Sequence, residues 1–154
     1  MPQISLETIL GNCLIIENQG FLTSLLINTE VIVERTAEPT PILTQAAAQL
    51  KEYLAGQRQN FDLPLKPIGT PYQQKVWNQL RSIPYGQTRS YQEIAAALGN
   101  RKAARAVGSA NHRNPLPIFI PCHRVIGKNG SLVGYAYGVN TKEKLLKIEE
   151  NSLS

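Results

Sequence analysis

Two cysteines and two histidines are all the thiol and imidazole chemistry available to this 154-residue chain. Cys13 and Cys122 are too few for a disulfide framework, and a reducing cytoplasm keeps such thiols free. With only His112 and His123 beside them, no metal centre is expected, and no cofactor either. No apolar run approaches the roughly 20 residues that a membrane helix needs, which speaks against a membrane partner. The opening stretch Met1-Pro2-Gln3-Ile4-Ser5-Leu6-Glu7 lacks the basic and apolar regions of a signal peptide. A cytoplasmic, prokaryote-like setting is therefore expected. No additional apolar stripe asks for a second copy, so a monomer is expected.

What remains is ordinary in amount and uneven in arrangement. Hydrophobic residues make up 42% and charged residues 18%, as in a soluble globular protein. Residues 1–66 carry 4 Lys and Arg against 7 Asp and Glu, whereas residues 67–154 carry 12 against 4. The sign of the charge thus changes near the proline-marked connector Asp62 to Gly69. Two units are expected, a scaffold over 1–66 and a working domain over 67–154. Arg89, Arg101, Lys102, Arg105, Arg113 and Arg124 fall in one stretch of the second, which favours a polyanion partner, nucleic acid first.

Read in order, 3–9, 12–17 and 20–28 are short strands separated by turn signals, an antiparallel meander. Glu30 to Val33 adds a possible fourth. Thr40-Pro41 opens a helix through Ile42, Ala46, Leu50 and Leu54. Nothing in this first part suggests catalysis. Thr70-Pro71 opens a second helix with Val76, Trp77, Leu80 and Ile83 toward a core. Ser90 and Glu93 form a capping box for a helix over 94–98. Gly99-Asn100 and a third helix, 101 to about 110, complete a helix-turn-helix candidate. That third helix is nearly all small residues, with Arg101 and Arg105 on one face. Alanine is simply a good helix former; the alternative is a backbone that presses close to DNA and binds without reading bases. The fold class expected is α+β: a small sheet-plus-helix lobe, then a mainly helical, winged-helix-like lobe.

The chemistry centres on Pro121-Cys122-His123. Prolines at 117 and 121 stiffen the lead-in to the cysteine, and a thiol beside an imidazole is a candidate activated nucleophile. In the last helix, 141 to about 150, Leu145, Leu146 and Ile148 define an apolar arc at about 100° per residue. Lys142 and Glu149 fall inside that arc. Glu149 is either solvated at a fraying end or the group that orients His123.

These residues resemble the O⁶-alkylguanine-DNA alkyltransferase family. The resemblance rests on Gly69-Thr70-Pro71-Tyr72-Gln73-Gln74-Lys75-Val76-Trp77, Ile83-Pro84-Tyr85-Gly86 and Ala103-Ala104-Arg105-Ala106-Val107-Gly108. Arg113-Asn114-Pro115-Leu116-Pro117 and Ile120-Pro121-Cys122-His123-Arg124-Val125-Ile126-Gly127 complete it. It implies single-turnover transfer of an alkyl group from O⁶-alkylguanine, with O⁴-alkylthymine as an extension, to Cys122 after nucleotide flipping. It further implies a cysteine–water–histidine–glutamate relay through His123 and Glu149. Tyr135 would act as donor to the guanine oxygen with Lys142 in support, and Asn114 as the hinge of the active-site loop. Tyr91 and Arg105 would turn and replace the nucleotide from the minor groove. Ser90, Arg101, Lys102, Ala104, Gly108 and Arg113 would lie along the double-stranded DNA, and Pro117, Val125, Tyr135, Ala136 and Tyr137 would line the base pocket.

The chain departs from the pattern at Ala136, where a hydroxyl is frequent, and at Tyr137, where glycine is usual. Tyr137 is expected to narrow the pocket against bulky O⁶-benzyl groups. His112 and Arg101 also replace commoner residues and add positive charge. Competing readings are a non-enzymatic reader of alkylated bases, a cysteine hydrolase and a transcriptional regulator. The presence of Cys122 counts against the first, the basic helix-turn-helix against the second, and the lack of an effector domain against the third.

Overall fold

A computed structural model describes residues 1–28, 39–132 and 134–153. Strands β1 (Gln3–Thr8), β2 (Gly11–Asn18) and β3 (Phe21–Leu26) form an antiparallel sheet in sequence order. Register runs from Gln3 opposite Ile16 to Thr8 opposite Gly11, and β2 carries a bulge at Ile16/Glu17. Helix α1 (Pro41–Leu54) starts where the Thr40 hydroxyl accepts the Leu43 N–H at 3.2 Å, with proline at the first position. Its stripe of Leu43, Ala46, Leu50 and Tyr53 is buried. The strand expected over Glu30 to Val33 lies outside the described residues.

The connector returns to the sheet instead of leaving it. Leu22 N–H donates to Pro64 O at 2.8 Å and Lys66 N–H to Leu22 O at 2.9 Å. Leu25 N–H donates to Pro115 O at 2.9 Å, so β3 is also fastened to the loop that leads to Cys122.

Helix α2 (Pro71–Arg81) has a full capping box between Thr70 and Gln73. Gly69 packs flat on the indole of Trp77, where an added Cβ would come within 2.4 Å of the ring. Trp77, the chain's one tryptophan, is buried and donates its indole N–H to Ala110 O at 2.8 Å. Strand β4 (Arg89–Ser90) leads through a second capping box, Ser90 with Glu93, into α3 (Tyr91–Ala97). This helix begins three residues before the expected Ile94, because the box fixes Tyr91 as its first helical residue.

Gly99, at φ +90°, makes the turn. Asn100 then caps a 3₁₀ turn, Arg101–Ala103, before helix α4 (Ala104–His112). The expected helix from Arg101 thus opens as a 3₁₀ turn and runs two residues past Ala110. A second 3₁₀ turn, Cys122–Arg124, leads into β5 (Val125–Ile126), which pairs in parallel with β4. Helix α5 (Val139–Leu153) is longer at both ends than the expected 141–150. The buried apolar side chains form one cluster that spans sheet and helices, from Leu6 to Leu145.

Candidate active site

The loop that presents Cys122 is bent twice within six residues. Phe119 N–H donates to Pro117 O at 2.9 Å across Ile118, whose φ is +72°. That is a three-residue γ-turn in its positive-φ form, which a β-branched residue adopts only under strain of about 1–3 kcal/mol. Cys122 N–H donates to Ile120 O at 2.7 Å across Pro121, at φ −79° and ψ 65°, the relaxed inverse γ-turn. Asn114 holds the strained part in place: its amide donates to Ile120 O at 2.9 Å, and its Oδ1 accepts Leu116 N–H at 3.0 Å. Asn111 of α4 donates to Cys122 O at 3.3 Å. Two amides at the end of the helix-turn-helix therefore position the nucleophile's backbone.

His123 and Glu149 are both buried and meet at 2.7 Å between Nε2 and Oε2. Arg124 closes the other side, with its Nε 2.9 Å from Oε1 and its Nη2 2.9 Å from Oε2. Its Nη1 donates to Ile83 O at 2.8 Å. Gly86 N–H donates to Oε1 at 3.1 Å. Tyr53 reaches in from α1, donating its hydroxyl to Glu149 Oε2, with its oxygen 3.2 Å from His123 Nε2. A carboxylate only accepts, so both the Tyr53 proton and a proton on Nε2 point at Glu149. The His123 tautomer is thereby fixed with its lone pair on Nδ1. Nδ1 is buried and makes no hydrogen bond to a protein group.

The electrostatics follow from burial and this network. Burial pushes the Cys122 thiol up to about 11, against the pull of the Asn114 amide, the Lys142 ammonium and the looser polar approach of Tyr135. Burial lowers His123 despite its bond to Glu149, which leaves the imidazole neutral. Burial alone would raise Glu149, but the hydrogen bonds and charges of His123 and Arg124 outweigh it and hold the carboxyl at about 2. Lys142 is buried and lowered by that burial to about 8. Its ammonium donates to Val125 O and lies 5.9 Å from the Tyr135 ring and 6.0 Å from the Tyr91 ring.

The structure therefore gathers Cys122, His123, Glu149, Lys142, Tyr135, Tyr91, Asn114 and Val125 around one spot. Pro117 is buried in the loop, Tyr137 is half-buried and Ala136 is exposed. Tyr137 donates to Leu25 O at 3.4 Å, so the segment after Tyr135 touches β3. Arg101, Lys102, Arg105 and Arg113 are exposed along and around α4, with Ala104, Gly108 and Ser90 half-buried beside them. His112 makes a 3.3 Å contact between Nδ1 and Gly134 O.

Two expectations need correction. Arg124 does not belong to the polyanion-facing cations, because it is buried and ion-paired with Glu149. The first part of the chain is not chemically silent either, since it delivers Tyr53. The signal was a tyrosine on the buried stripe of α1, whose hydroxyl needs a partner. Gly86 was missed as a donor, and only its positive φ, +79°, hints at a special backbone.

Residues 71–151 match the DNA-binding domain of 6-O-methylguanine DNA methyltransferase, and residues 3–67 match that enzyme's ribonuclease-like domain. The constitutive methylated-DNA–protein-cysteine methyltransferase of Bacillus subtilis is 52% identical over 95% of this chain and 93% of its own. The methylated-DNA–protein-cysteine methyltransferase of Methanosarcina acetivorans is 58% identical over 68% of this chain and 67% of its own. The crystal structure of Mycobacterium tuberculosis OGT in complex with DNA superposes with a TM-score of 0.88 at 42% identity, covering 99% of this chain and 94% of that one. Matched along both parts and similar to the Bacillus subtilis protein nearly end to end, the chain belongs to the 6-O-methylguanine DNA methyltransferase family.

Proposed function

We propose that the chain is a direct-reversal DNA repair protein, a methylated-DNA–protein-cysteine methyltransferase that acts once per molecule. Cys122 Sγ attacks the alkyl carbon on O⁶ of a flipped guanine. The S–C bond forms as the C–O⁶ bond breaks, leaving S-alkylcysteine and a guanine anion, which becomes guanine by taking up one proton as His123 gives back the one it received from the thiol. The thiol proton passes through a water to His123 Nδ1, the free nitrogen of the pinned tautomer, while Glu149 stabilises the imidazolium. Tyr135 donates to the guanine oxygen as charge gathers there, and the Lys142 ammonium stabilises both that charge and the thiolate. A thioether is a poor leaving group, so the alkylated protein does not turn over.

The observation that carries this reading is the direction of the protons around Glu149. The Tyr53 hydroxyl and the His123 Nε2 proton both point at the carboxylate, which leaves the imidazole lone pair on Nδ1, without a protein partner, in the residue next to Cys122. The partner is double-stranded DNA, approached through the small-residue face of α4 in the minor groove, with Arg105 entering where the base leaves. O⁴-alkylthymine, a monomeric state and a cytoplasmic setting belong to the same proposal; no helix among the described residues is long and apolar enough to cross a membrane.

The test is intact mass after mixing with a duplex that carries one O⁶-methylguanine. Wild type should gain one methylene, one protein consumed per lesion, and Cys122→Ala should gain nothing. Continued release of product without a mass gain would point to the hydrolase.

A further inference from the structure

Tyr53 lies on α1, 70 residues from His123 and 96 from Glu149, yet is fully buried against both. Its ring is held by Phe61, at 5.2 Å and 42°, and by Tyr85, edge-on at 6.1 Å and 87°. These contacts fix the ring and with it the position of the hydroxyl oxygen. The oxygen it serves, Glu149 Oε2, also accepts from His123 Nε2 and from Arg124 Nη2. Donors from three residues on one oxygen divide its charge. Each donor holds the carboxylate in place, and each reduces what the carboxylate offers the imidazole.

We propose that Tyr53 is a positioning residue for alkyl transfer: by sharing Glu149 Oε2 with His123 it pins the Nε2–H tautomer and keeps the imidazole a neutral base turned toward Cys122. This rests on the alkyl-transfer reading above. A carboxylate given to His123 alone would hold a proton on the ring and leave no lone pair for the thiol proton. The titratable and charged groups around the imidazole are Tyr53 from α1, Cys122 and Arg124 from its own turn, and Lys142 and Glu149 from α5. Tyr85, from the segment after α2, packs edge-on against the Tyr53 ring, and Tyr135 is near enough to Tyr53 for their charges to interact. Of these, only Tyr53 combines a donor proton on Oε2 with a place in the N-terminal part of the chain.

The experiment compares wild type with Tyr53→Phe, which keeps the ring and removes one oxygen. Single-turnover transfer from O⁶-methylguanine duplex is followed from pH 5 to 9, and the His123 ring nitrogens are observed by NMR in the unreacted proteins. Wild type should show the proton on Nε2. In Tyr53→Phe the acidic limb of the rate profile and the His123 titration should both move up, by about one pH unit, with the plateau below the loss of the Lys142 ammonium at about 8 little changed. A proton on Nδ1 in wild type overturns the proposal, and this can be seen even if the variant does not fold. A lowered plateau with an unmoved limb also overturns it, because loss of packing alone does that. The Cys122→Ala mass control separates this from failure of the alkyl-transfer reading: without a mass gain on wild type, the reaction itself is wrong.

Discussion

Five donor atoms converge on the two oxygens of Glu149, from Tyr53, Gly86, His123 and twice from Arg124. A buried carboxylate so served stays charged, and its charge becomes a stability term that depends on pH. The folded carboxyl is held near 2, against an ordinary value of 4.5. Its contribution is therefore complete above about pH 4.5 and is lost as the pH falls from there toward 2. Urea unfolding across that window should show wild type losing stability more steeply than Glu149→Gln. At neutral pH the variant should be weaker by about 3 kcal/mol or more, the usual cost of breaking a buried ion pair. Equal slopes would mean that the carboxyl is not held down. Single residues were unevenly legible at this scale. Cys122, Lys142 and Glu149 could be picked out from a dipeptide and a helical stripe. Arg124 could not, because a cation paired 25 residues away looks in one dimension like any other surface arginine.

Where the signals are local, helix starts were legible: Thr40-Pro41 and Thr70-Pro71 open α1 and α2 as expected, although α3 begins at Tyr91 and not at Ile94. Thr70 with Gln73 and Ser90 with Glu93 are capping boxes written within four positions, and both form. The start of α4 was blurred, since Asn100 caps a 3₁₀ turn and not the α-helix itself. The bend at Ile118 was invisible, because nothing in a β-branched residue announces a positive φ. It is imposed by Asn114 and by the tie of β3 to Pro115. On α4, Arg105 is exposed beside the small residues Ala106 and Ser109, and its proposed part in nucleotide flipping can be separated from the chemistry. Arg105→Ala should slow repair of O⁶-methylguanine in duplex DNA about tenfold or more, as unstacking goes uncompensated. Reaction with the free O⁶-methylguanine base should be unchanged. A matching loss on the free base would place Arg105 in the pocket and not in the groove.

For the molecule as a whole, the sheet and the helices form one working body. The first strands meet the segment after Tyr135 through Tyr137 on Leu25 O, 112 residues apart, and α1 meets His123 and Glu149 through Tyr53. No local pattern reveals contacts of that span. Tyr137→Gly should raise the rate with O⁶-benzylguanine relative to O⁶-methylguanine, whereas Tyr137→Phe, which keeps the bulk and cuts the tie to Leu25, should not. Equal benzyl rates in wild type and the glycine variant would remove Tyr137 from the pocket. Finally, the single indole of the chain sits in the core between α2 and α4, its N–H on the Ala110 carbonyl. The protein thus contains its own optical gauge. Emission from Trp77 comes from one apolar site, without interference from any second indole, and responds to any displacement of α4 against its neighbour. Any step that moves α4 against α2 can therefore be timed in unlabelled protein by the light of one ring.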